Sequence, residues 1–222
     1  LNKSFIEIGS GTSQLSNYLA AGTNNNIVAF DPTEAALRLG YDFATKNNIN
    51  NVTFVNADIF DDILQDEVSD FVWCSGVLHH TKDPYEGFKI IQKSLKAKGL
   101  IFIGLYNKYG RFRTYVRQML YKIFGRPLVM VMDPYLRSLN KDTSERKINS
   151  WIRDQYEHPV EKTHTFDEVL DWFDIHGIEF VNSIPSINGD EDNLYFNNNI
   201  IGRGTLVSRI YSQIKMIFGR LG

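Results

Sequence analysis

Short apolar segments alternate with amphipathic segments along the first half of the chain. Five of the apolar segments have the length of a buried β-strand, and the stretches between them space their apolar residues at helical intervals. The predicted strands are a segment that ends before Gly9, Ile27–Asp31, Val52–Asp58, a segment that begins at Asp70, and Gly99–Leu105. Strands separated by helices form a parallel sheet with right-handed crossovers. The pattern therefore predicts an α/β fold with a doubly wound, mostly parallel, Rossmann-like sheet.

The predicted helices are Ser13–Ala21, Thr33–Asn47 with Thr33 as its N-cap, a short helix at Asp61–Gln65, Pro84–Ala97 and Phe166–His176. Thr165 and Glu168 form the capping-box pattern that opens the last of these, and Gly177 ends it. Ile178–Ile184 is predicted as a sixth strand. Tyr195–Ile201 is the candidate for a seventh strand, although its three consecutive asparagines argue against it. Alternatively, the chain ends before a seventh strand is made.

The segment Tyr106–His164 interrupts the alternation, because roughly sixty residues contain no apparent strand. A connection of this length inside a domain is usually functional or contains helices of its own. We therefore predict a helical cap that is inserted after the fifth strand and binds the substrate. Residues 1–105 are then the cofactor-binding core, and residues 165–222 supply the rest of the core and a C-terminal amphipathic helix.

The first strand runs directly into Gly9-Ser10-Gly11-Thr12, which precedes a helix. Glycine lets the backbone adopt positive φ and approach a ligand closely, and a helix start offers unpaired N–H groups. The nicotinamide fingerprint G-x-G-x-x-G requires a third glycine where Gln14 stands, which argues against NAD. Glu7 places a carboxylate at the end of the strand, where a cationic ligand is favoured over a pyrophosphate.

Two further strands end in a carboxylate. Asp31 follows the glycines by about twenty residues, and a carboxylate at this position can accept hydrogen bonds from both hydroxyls of a ribose. Asp58 ends the third strand in the same way. The structural alternative is that Gly9 and Gly11 are ordinary turn residues and that the two aspartates cap helices.

These motifs resemble those of the class I S-adenosylmethionine-dependent methyltransferases. The first family motif, [D/E]-x-G-x-G-x-G, is matched by Glu7, Gly9 and Gly11, with Ser13 in place of the last glycine. The fourth strand and its loop, Asp70–His80, match the family pattern D-x-V-x-x-x-x-V-L-H-H. The resemblance covers about residues 4 to 105 and is greatest to small-molecule enzymes of the ubiquinone-biosynthesis type, in methyltransferase families 11 and 12.

The resemblance implies S-adenosyl-L-methionine as the cofactor and S-adenosyl-L-homocysteine as its product. Asp58 then lies beside the adenine amino group, and Ile59 forms an apolar wall against the ring. The implied cofactor contacts are Glu7, Gly9, Ser10, Gly11, Thr12, Asp31, Pro32, Asp58, Ile59, Cys74, Ser75 and Leu78. Cys74 falls in an apolar strand, so its side chain is predicted to be a small core residue rather than a nucleophile.

Methyl transfer is a direct displacement, so the protein has to align the acceptor and, for an alcohol or phenol, remove its proton. His79 and His80 follow the fourth strand and are the candidate bases, with Tyr106 next; a core or turn-capping role is the alternative for either histidine. The candidate substrate-binding residues are Asn107, Arg111, which could pair with an anionic group, and His158. No fixed ligand spacing is present, so no metal site is predicted.

Composition restricts the compartment and the partners. The chain has 222 residues, a formal net charge of -2 and one cysteine. It therefore has no overall attraction to nucleic acid or an anionic membrane, no internal disulfide and no zinc site built on several cysteines. No apolar run of about 18 residues and no signal peptide is visible, which predicts a cytoplasmic protein. The chain begins without methionine and close to the first strand, so we expect it to be part of a longer protein.

Two amphipathic segments raise the question of a partner. Gly110–Pro127 carries five basic residues and no acid, and it could face a membrane or an anionic substrate. The favoured interpretation is a cap helix that packs its apolar face on the sheet. Leu206–Phe218 has a similar stripe, for which internal packing or homodimerisation is favoured over lipid.

The sequence as a whole predicts an S-adenosylmethionine-dependent methyltransferase that acts on an oxygen, nitrogen or carbon atom of a small molecule. It contains no Asn-Pro-Pro-Tyr, Asp-Pro-Pro-Tyr or Pro-Cys motif of the kind that nucleic-acid methyltransferases use. The alternatives are a methyltransferase for tRNA or protein, a nicotinamide dehydrogenase, and a non-catalytic module that binds S-adenosylmethionine.

Overall fold

Five parallel strands form one sheet in the first half of the chain. The computed structural model describes residues 2–140, 142–157, 161–188 and 202–219. The strands are β1 Ser4–Ile8, β2 Asn26–Asp31, β3 Val52–Asn56, β4 Ser69–Ser75 and β5 Leu95–Gly104. Their order in the sheet is β3-β2-β1-β4-β5, and every neighbouring pair is parallel. The predicted Rossmann-like α/β fold is thereby confirmed.

The helices that connect these strands are α1 Gln14–Ala20, α2 Glu34–Lys46 and α3 Pro84–Lys93. Each buries one side: Ala20 of α1 packs with Phe5 and Ile27 of the sheet, and Phe88 and Ile91 of α3 are fully buried. An amphipathic helix and a sheet face remove their apolar surfaces from water together, which stabilises the alternating order read from the sequence.

The parallel register places the carboxyl ends of the strands at one edge of the sheet. Ile8 pairs with Phe30 on one side and with Cys74 on the other, and Asp31 pairs with Asn56. The residues that follow β1, β2, β3 and β4 consequently share this edge, where open α/β sheets bind their ligands.

Two local predictions in this part of the chain are wrong. Asp61–Gln65 forms a bend followed by irregular chain instead of a helix, and α3 ends at Lys93 rather than Ala97. The helix ends early because Ser94 O accepts hydrogen bonds from Val68 N and Ser69 N. These bonds start the pairing of β5 with β4 before Gly99, where the fifth strand was predicted to begin. An irregularity in that pairing then separates the Ser69–Leu95 pair from the regular ladder.

The chain divides into two compact units, Leu1–Leu105 and Tyr106–Gly222. In the described residues the second unit is helical, with one isolated bridge between Asn107 and His164. Its helices are α4 Phe112–Phe124, α5 Arg126–Met132, α6 Pro134–Ser138, α7 Glu145–Ile152, a π-helical turn at Arg153–Glu157, α8 Phe166–Ile175 and α9 Leu206–Phe218.

The second unit has apolar clusters of its own. One is formed by buried side chains of α5, α6, α7 and the π-helical turn, namely Val129, Leu136, Ile148, Ile152 and Tyr156. At its centre the carboxylate of Asp133 caps α6 and also accepts hydrogen bonds from Tyr156 and Trp151. Burial and the bond to Asp133 raise the pKa of Tyr156, so its hydroxyl stays a donor.

The predicted sixth strand, Ile178–Ile184, is not a strand. Its alternating pattern does bury Phe180, but that ring packs against Leu170 of α8 and Ile187. An alternation with a period of two shows that one side of an extended segment is covered, and either a helix or a sheet can cover it. The candidate seventh strand, Tyr195–Ile201, lies outside the described residues.

The two amphipathic helices are present as α4 and α9, but the apolar face of α4 is not buried. Phe112, Val116, Met119 and Ile123 are exposed, so the prediction that this face is packed is wrong. Much of the predicted stripe of α9 is also exposed, including Leu206, Ile210 and Ile214. Among the described residues, the helices are too short or too polar to cross a bilayer.

Candidate active site

The glycine loop that follows β1 has a left-handed backbone at both of its glycines. Gly9 has φ of 69° and Gly11 has φ of 53°, both in the region that favours glycine. A Cβ on Gly9 would lie 2.1 Å from Val77 Cγ2, whereas a Cβ on Gly11 would meet no atom within 4 Å. Gly9 therefore permits contact between two loops, and Gly11 leaves open space at the edge of the sheet.

Ser13 stands where the family motif has its third glycine, and its backbone lies in the left-handed region that favours glycine. Its φ of 54° and ψ of 36° are left-handed, and its side chain is fully buried. Ser13 Oγ lies 3.1 Å from Ser10 Oγ, and a Cβ on Gly40 of α2 would lie 2.8 Å from Ser13 Cβ. The hydrogen bond to Ser10 thus helps to hold Ser13 in a backbone conformation that glycine adopts more easily. Gly40 lets α2 approach the loop closely.

Glu7 is directed into the protein. Its side chain is 7% exposed, and its Oε2 accepts hydrogen bonds from the backbone N–H and the hydroxyl of Ser16 in α1. Burial raises the pKa of Glu7 above its ordinary 4.5, and the bonds from Ser16 oppose that shift only in part. In this structure the carboxylate joins β1 to α1, so its predicted contact with a cationic ligand remains a prediction.

Asp31 organises the glycine loop from the tip of β2. Its Oδ2 accepts a bond of 2.7 Å from Gly11 N, and its Oδ1 accepts a bond of 2.8 Å from Thr33 N. Two carboxylate oxygens offer about four acceptor positions, so both oxygens can accept further donors such as ribose hydroxyls. Pro32, the neighbouring predicted contact, is exposed.

Asp58 and Ile59 lie in the loop that follows β3. Asp58 is exposed, and its Oδ1 accepts a hydrogen bond from Phe60 N. Ile59 is buried, and a Cβ on Gly87 of α3 would lie 3.5 Å from Ile59 Cδ1 and 2.9 Å from Leu78 Cδ2. The glycine in α3 therefore lets two predicted apolar contacts pack together below the polar edge.

The end of β4 supplies the last part of this edge. Cys74 is fully buried, and burial raises the pKa of its thiol to about 12, which makes it a core residue rather than a nucleophile. Ser75 is exposed at the end of the strand, and Thr12 is exposed in the glycine loop. Ser10 is largely buried, and its N–H donates to Phe30 O.

The two histidines differ in access. They belong to a 3₁₀ turn, Leu78–His80, and their ring centroids are 4.2 Å apart. His79 is 1% exposed, whereas His80 is partly exposed. Of the two, His80 is the candidate that a substrate can reach in this conformation, and His79 fits the core role that was its alternative.

The residues at this edge fit the cofactor that the resemblance implies. A carboxylate is held at the ribose position, an open glycine position follows β1, and the carboxyl ends of four parallel strands meet there. The fit depends on the donors and acceptors that an adenosyl group presents, because two adjacent ribose hydroxyls match a carboxylate.

Tyr106, Asn107 and Arg111 belong to the second unit, where they are close together. Arg111 Cζ lies 4.1 Å from the centroid of the Tyr106 ring, and desolvation raises the pKa of Tyr106. Asn107 Oδ1 accepts from the backbone N–H groups of Tyr109 and Gly110, and its amide donates to Gln213. Asn107 thereby shapes the start of α4, and the neutral Tyr106 hydroxyl is suited to donate rather than to accept a proton.

The partner of Arg111 is not apparent from the sequence. Its guanidinium forms a two-pronged ion pair with Glu161 and donates a bond of 3.0 Å to Gln155, and both charged side chains are nearly buried. An internal carboxylate therefore already neutralises the charge that was predicted to pair with a substrate. No local charge pattern in the sequence indicates this ion pair, because its two residues are fifty positions apart.

His164 is a second residue that the sequence left undefined. It is buried, its Nδ1 lies 2.8 Å from Glu168 Oε1, and its ring lies edge-on to Trp172. Glu168 was predicted to complete a capping box; Thr165 does cap α8, while the Glu168 side chain pairs with His164 instead. His158 lies outside the described residues. Within the described ranges, no three potential metal ligands form a cluster.

A cleft of about 680 Å³ lies at the other end of the strands. Its lining includes Ala20 and Ala21 at the end of α1 and the polar segment 47–51 before β3. Ligands of parallel α/β sheets bind at the carboxyl ends, so we assign the candidate site to the edge that carries Asp31 and the glycine loop rather than to this cleft.

The fold and this edge together define a class of protein. A parallel sheet in the order β3-β2-β1-β4-β5, with a glycine loop after β1 and a carboxylate ending β2, is that of the class I S-adenosylmethionine-dependent methyltransferases. A family model described as a methyltransferase domain matches residues 2–162. The chain therefore belongs to the methyltransferase domain family, which confirms the resemblance.

The chain is also similar to individual proteins. An uncharacterized protein of Synechococcus sp. is 22% identical over 198 residues, which cover 79% of this chain and 47% of that protein. The chain thus spans about half the length of this curated relative.

Among solved structures, PKMT2 from Rickettsia typhi has a TM-score of 0.63 at 16% identity and covers 78% of this chain and 38% of its own. PKMT2 has also been solved in complex with AdoHcy, with a TM-score of 0.60. YcgJ from Bacillus subtilis has a TM-score of 0.53 at 16% identity and covers 78% of this chain and 61% of its own. At these identities the structural similarity shows the shared fold alone.

Proposed function

We propose that this chain binds S-adenosyl-L-methionine at the carboxyl edge of its sheet and methylates an oxygen, nitrogen or carbon atom of a small molecule. The observation that carries the proposal is the carboxylate of Asp31, which joins the tip of β2 to Gly11 and Thr33. This carboxylate holds the glycine loop in place and still has free acceptor positions. It is therefore suited to bind the ribose of a cofactor whose other groups lie over that loop.

The roles of the chain's own residues follow from their access and charge. S-adenosylmethionine supplies a methyl group that is activated by its sulfonium. Asp31 binds and orients the ribose, and Gly11 leaves room for the cofactor at the loop. The buried side chains of Ile59 and Leu78 support this edge of the sheet from below. His80, which is partly exposed, is the group we propose to take a proton from an acidic acceptor.

A small acceptor is favoured over RNA by the overall charge. The chain has a net charge of -2, whereas binding to a phosphate backbone is driven mainly by positive charge. At the end of β4 it has Cys74-Ser75-Gly76-Val77. Nucleic-acid enzymes that methylate amino groups would have Asn-Pro-Pro-Tyr or Asp-Pro-Pro-Tyr at this position. We keep Tyr106 and Asn107, which directly follow the fifth strand, as candidates for substrate contact.

Calorimetric titration of S-adenosylhomocysteine into the purified chain tests the cofactor. We expect micromolar binding, no comparable heat with NAD, and loss of binding in Asp31→Ala. Binding of NAD with no binding of S-adenosylhomocysteine would refute the proposal.

A chain that binds the cofactor can then be tested with a radiolabelled methyl donor and a panel of alcohols, phenols, amines and carbon acids. Methylation of bulk tRNA or protein without any small-molecule product would refute the proposed substrate class. An active chain that is unaffected by His80→Ala would remove His80 as the proton acceptor.

A further inference from the structure

Helix α4 presents its apolar residues to the outside of the protein. Phe112 is 53% exposed, Val116 39%, Met119 56% and Ile123 65%. At 3.6 residues per turn, spacings of four, three and four residues place these side chains on one face of the helix. They form a continuous stripe along the helix, which we call the α4 stripe, and exposed apolar patches of this kind commonly mark interaction surfaces.

The face of α4 opposite the stripe is polar and is joined to the rest of the unit by hydrogen bonds. Thr114 is buried, and Gln118 donates a bond of 2.8 Å to Gln155 O. On the same face the Tyr121 hydroxyl donates to Glu157, and at one flank of the stripe the Tyr115 hydroxyl donates to Thr163. Unlike the usual surface helix, α4 therefore keeps its main apolar stripe outside, while hydrogen bonds and the Tyr121 ring attach its inner face.

Basic residues lie on both sides of the α4 stripe. At 100° per residue, Arg113 lies about a quarter turn to one side of the stripe and Lys122 about a quarter turn to the other. Both are exposed, and the sequence from Gly110 to Met132 contains no acidic residue. In the next helix, α5, Val131 and Met132 are also exposed.

We propose that the α4 stripe binds the surface of an anionic lipid bilayer, with the helix axis in the plane of the membrane. Apolar side chains at the centre enter the boundary between headgroups and acyl chains, while Arg113 and Lys122 reach lipid phosphates on either side. A second copy of the stripe would bring like charges together across a symmetric contact. RNA would leave the apolar centre without a partner. The lipid surface is the occupant that satisfies both the centre and the flanks.

Co-sedimentation of the 222-residue chain with vesicles tests this proposal. We expect binding to phosphatidylcholine mixed with phosphatidylglycerol, weak binding to phosphatidylcholine alone, and a loss of binding as salt is raised. Each basic residue near an anionic surface changes binding roughly fivefold, so Arg113→Gln with Lys122→Gln should weaken it about thirtyfold. Phe112→Ser with Ile123→Ser should weaken it by a factor on the order of a hundred.

Control variants come from α2, which carries exposed residues of the same kinds. Leu39→Ser removes an apolar side chain that is 61% exposed, and Arg38→Gln with Lys46→Gln removes two exposed charges. These variants should bind vesicles like the wild type, and thermal melts should show that every variant is folded.

Four results would overturn the proposal. Wild-type protein that does not bind anionic vesicles, or binds neutral vesicles equally well, would exclude a charged lipid surface as the partner. Stripe variants that bind as well as the α2 controls would exclude the α4 stripe. A wild-type dimer that the stripe variants convert to monomers, with no vesicle binding, would assign the stripe to a second copy of the chain.

Discussion

Removal of the Asp31 carboxylate should affect both the stability of the chain and its affinity for S-adenosylhomocysteine. The side chain is 8% exposed and accepts two short backbone bonds, from Gly11 N and Thr33 N. Asp31→Ala removes both acceptors. Asp31→Asn keeps the shape of the side chain, but its NH₂ group must face one of the two backbone donors.

The magnitude follows from the number of bonds. A hydrogen bond to a charged group contributes about 1.5 to 3 kcal/mol, so loss of two such bonds should cost at least about 3 kcal/mol. For a chain of this size that corresponds to a decrease in Tm of about 6 to 12 °C. Two lost bonds to ribose hydroxyls should weaken binding by about a hundredfold. Asp31→Asn should lose roughly half of each free energy.

The assay combines thermal unfolding with calorimetric titration of S-adenosylhomocysteine at a temperature where every variant is folded. Asp70→Asn is the matched control. Bonds from Ser4 N and Lys96 hold the pKa of Asp70 far below its usual range, but Asp70 lies at the amino end of β4, away from the glycine loop. Its replacement should lower the Tm and leave affinity unchanged.

Two results would contradict a role for Asp31 in binding the ribose. If folded Asp31→Ala bound S-adenosylhomocysteine as tightly as the wild type while its Tm fell, the carboxylate would only organise the loop. An equal loss of affinity in Asp70→Asn would show that affinity merely follows stability.

Three further predictions concern the neighbouring residues. Gly9→Ala should lower the free energy of unfolding by about 2 to 5 kcal/mol, because the φ of Gly9 is positive and an added Cβ would overlap Val77. A second change, Val77→Ala, should recover only the part of this loss that is due to the overlap. A double-mutant cycle in urea measures that part. Because the pKa of Glu7 is raised in the folded state, its contribution to stability is present below pH 4.5 and is lost as the pH rises through the folded pKa. Glu7→Gln should therefore gain stability relative to the wild type as the pH rises from below 4.5 to neutral, and a constant difference in unfolding free energy across that window would contradict the raised pKa. Cys74 should not react with a chromogenic disulfide reagent at neutral pH in the folded chain, because burial raises the pKa of its thiol to about 12. In guanidinium the unfolded chain should yield one reactive thiol. Rapid reaction of the folded chain would contradict the burial of Cys74.

The glycine loop shows how far local sequence determines structure. Gly9 and Gly11 were identified from the sequence because positive φ between a strand and a helix is a local requirement. Ser13 was read as a departure from the motif, yet its φ is positive like that of Gly9 and Gly11. Its hydrogen bond to Ser10 is formed inside the folded loop, so the motif alone could not predict this conformation.

Partners distant in sequence account for what was missed in the site. Arg111 was predicted to pair with an anionic group on the substrate, whereas its ion pair with Glu161 depends on how the second unit folds. Glu7 was likewise recognised as a strand-end carboxylate, and its bonds to Ser16 come from the packing of α1 on β1. Residue type shows what a side chain can bind, whereas packing decides what it does bind.

The sequence by itself determined the alternation of strands and helices, the parallel sheet and the carboxylates at its edge, because hydrophobic periodicity and glycine conformation act over a few residues. Tertiary structure alone decided which surface each amphipathic segment covers. Ile178–Ile184 has the period of a strand yet packs on α8, and α4 has the period of a buried helix yet turns its apolar face outward. Periodicity specifies that one side of a segment is apolar, and long-range contacts determine where that side points.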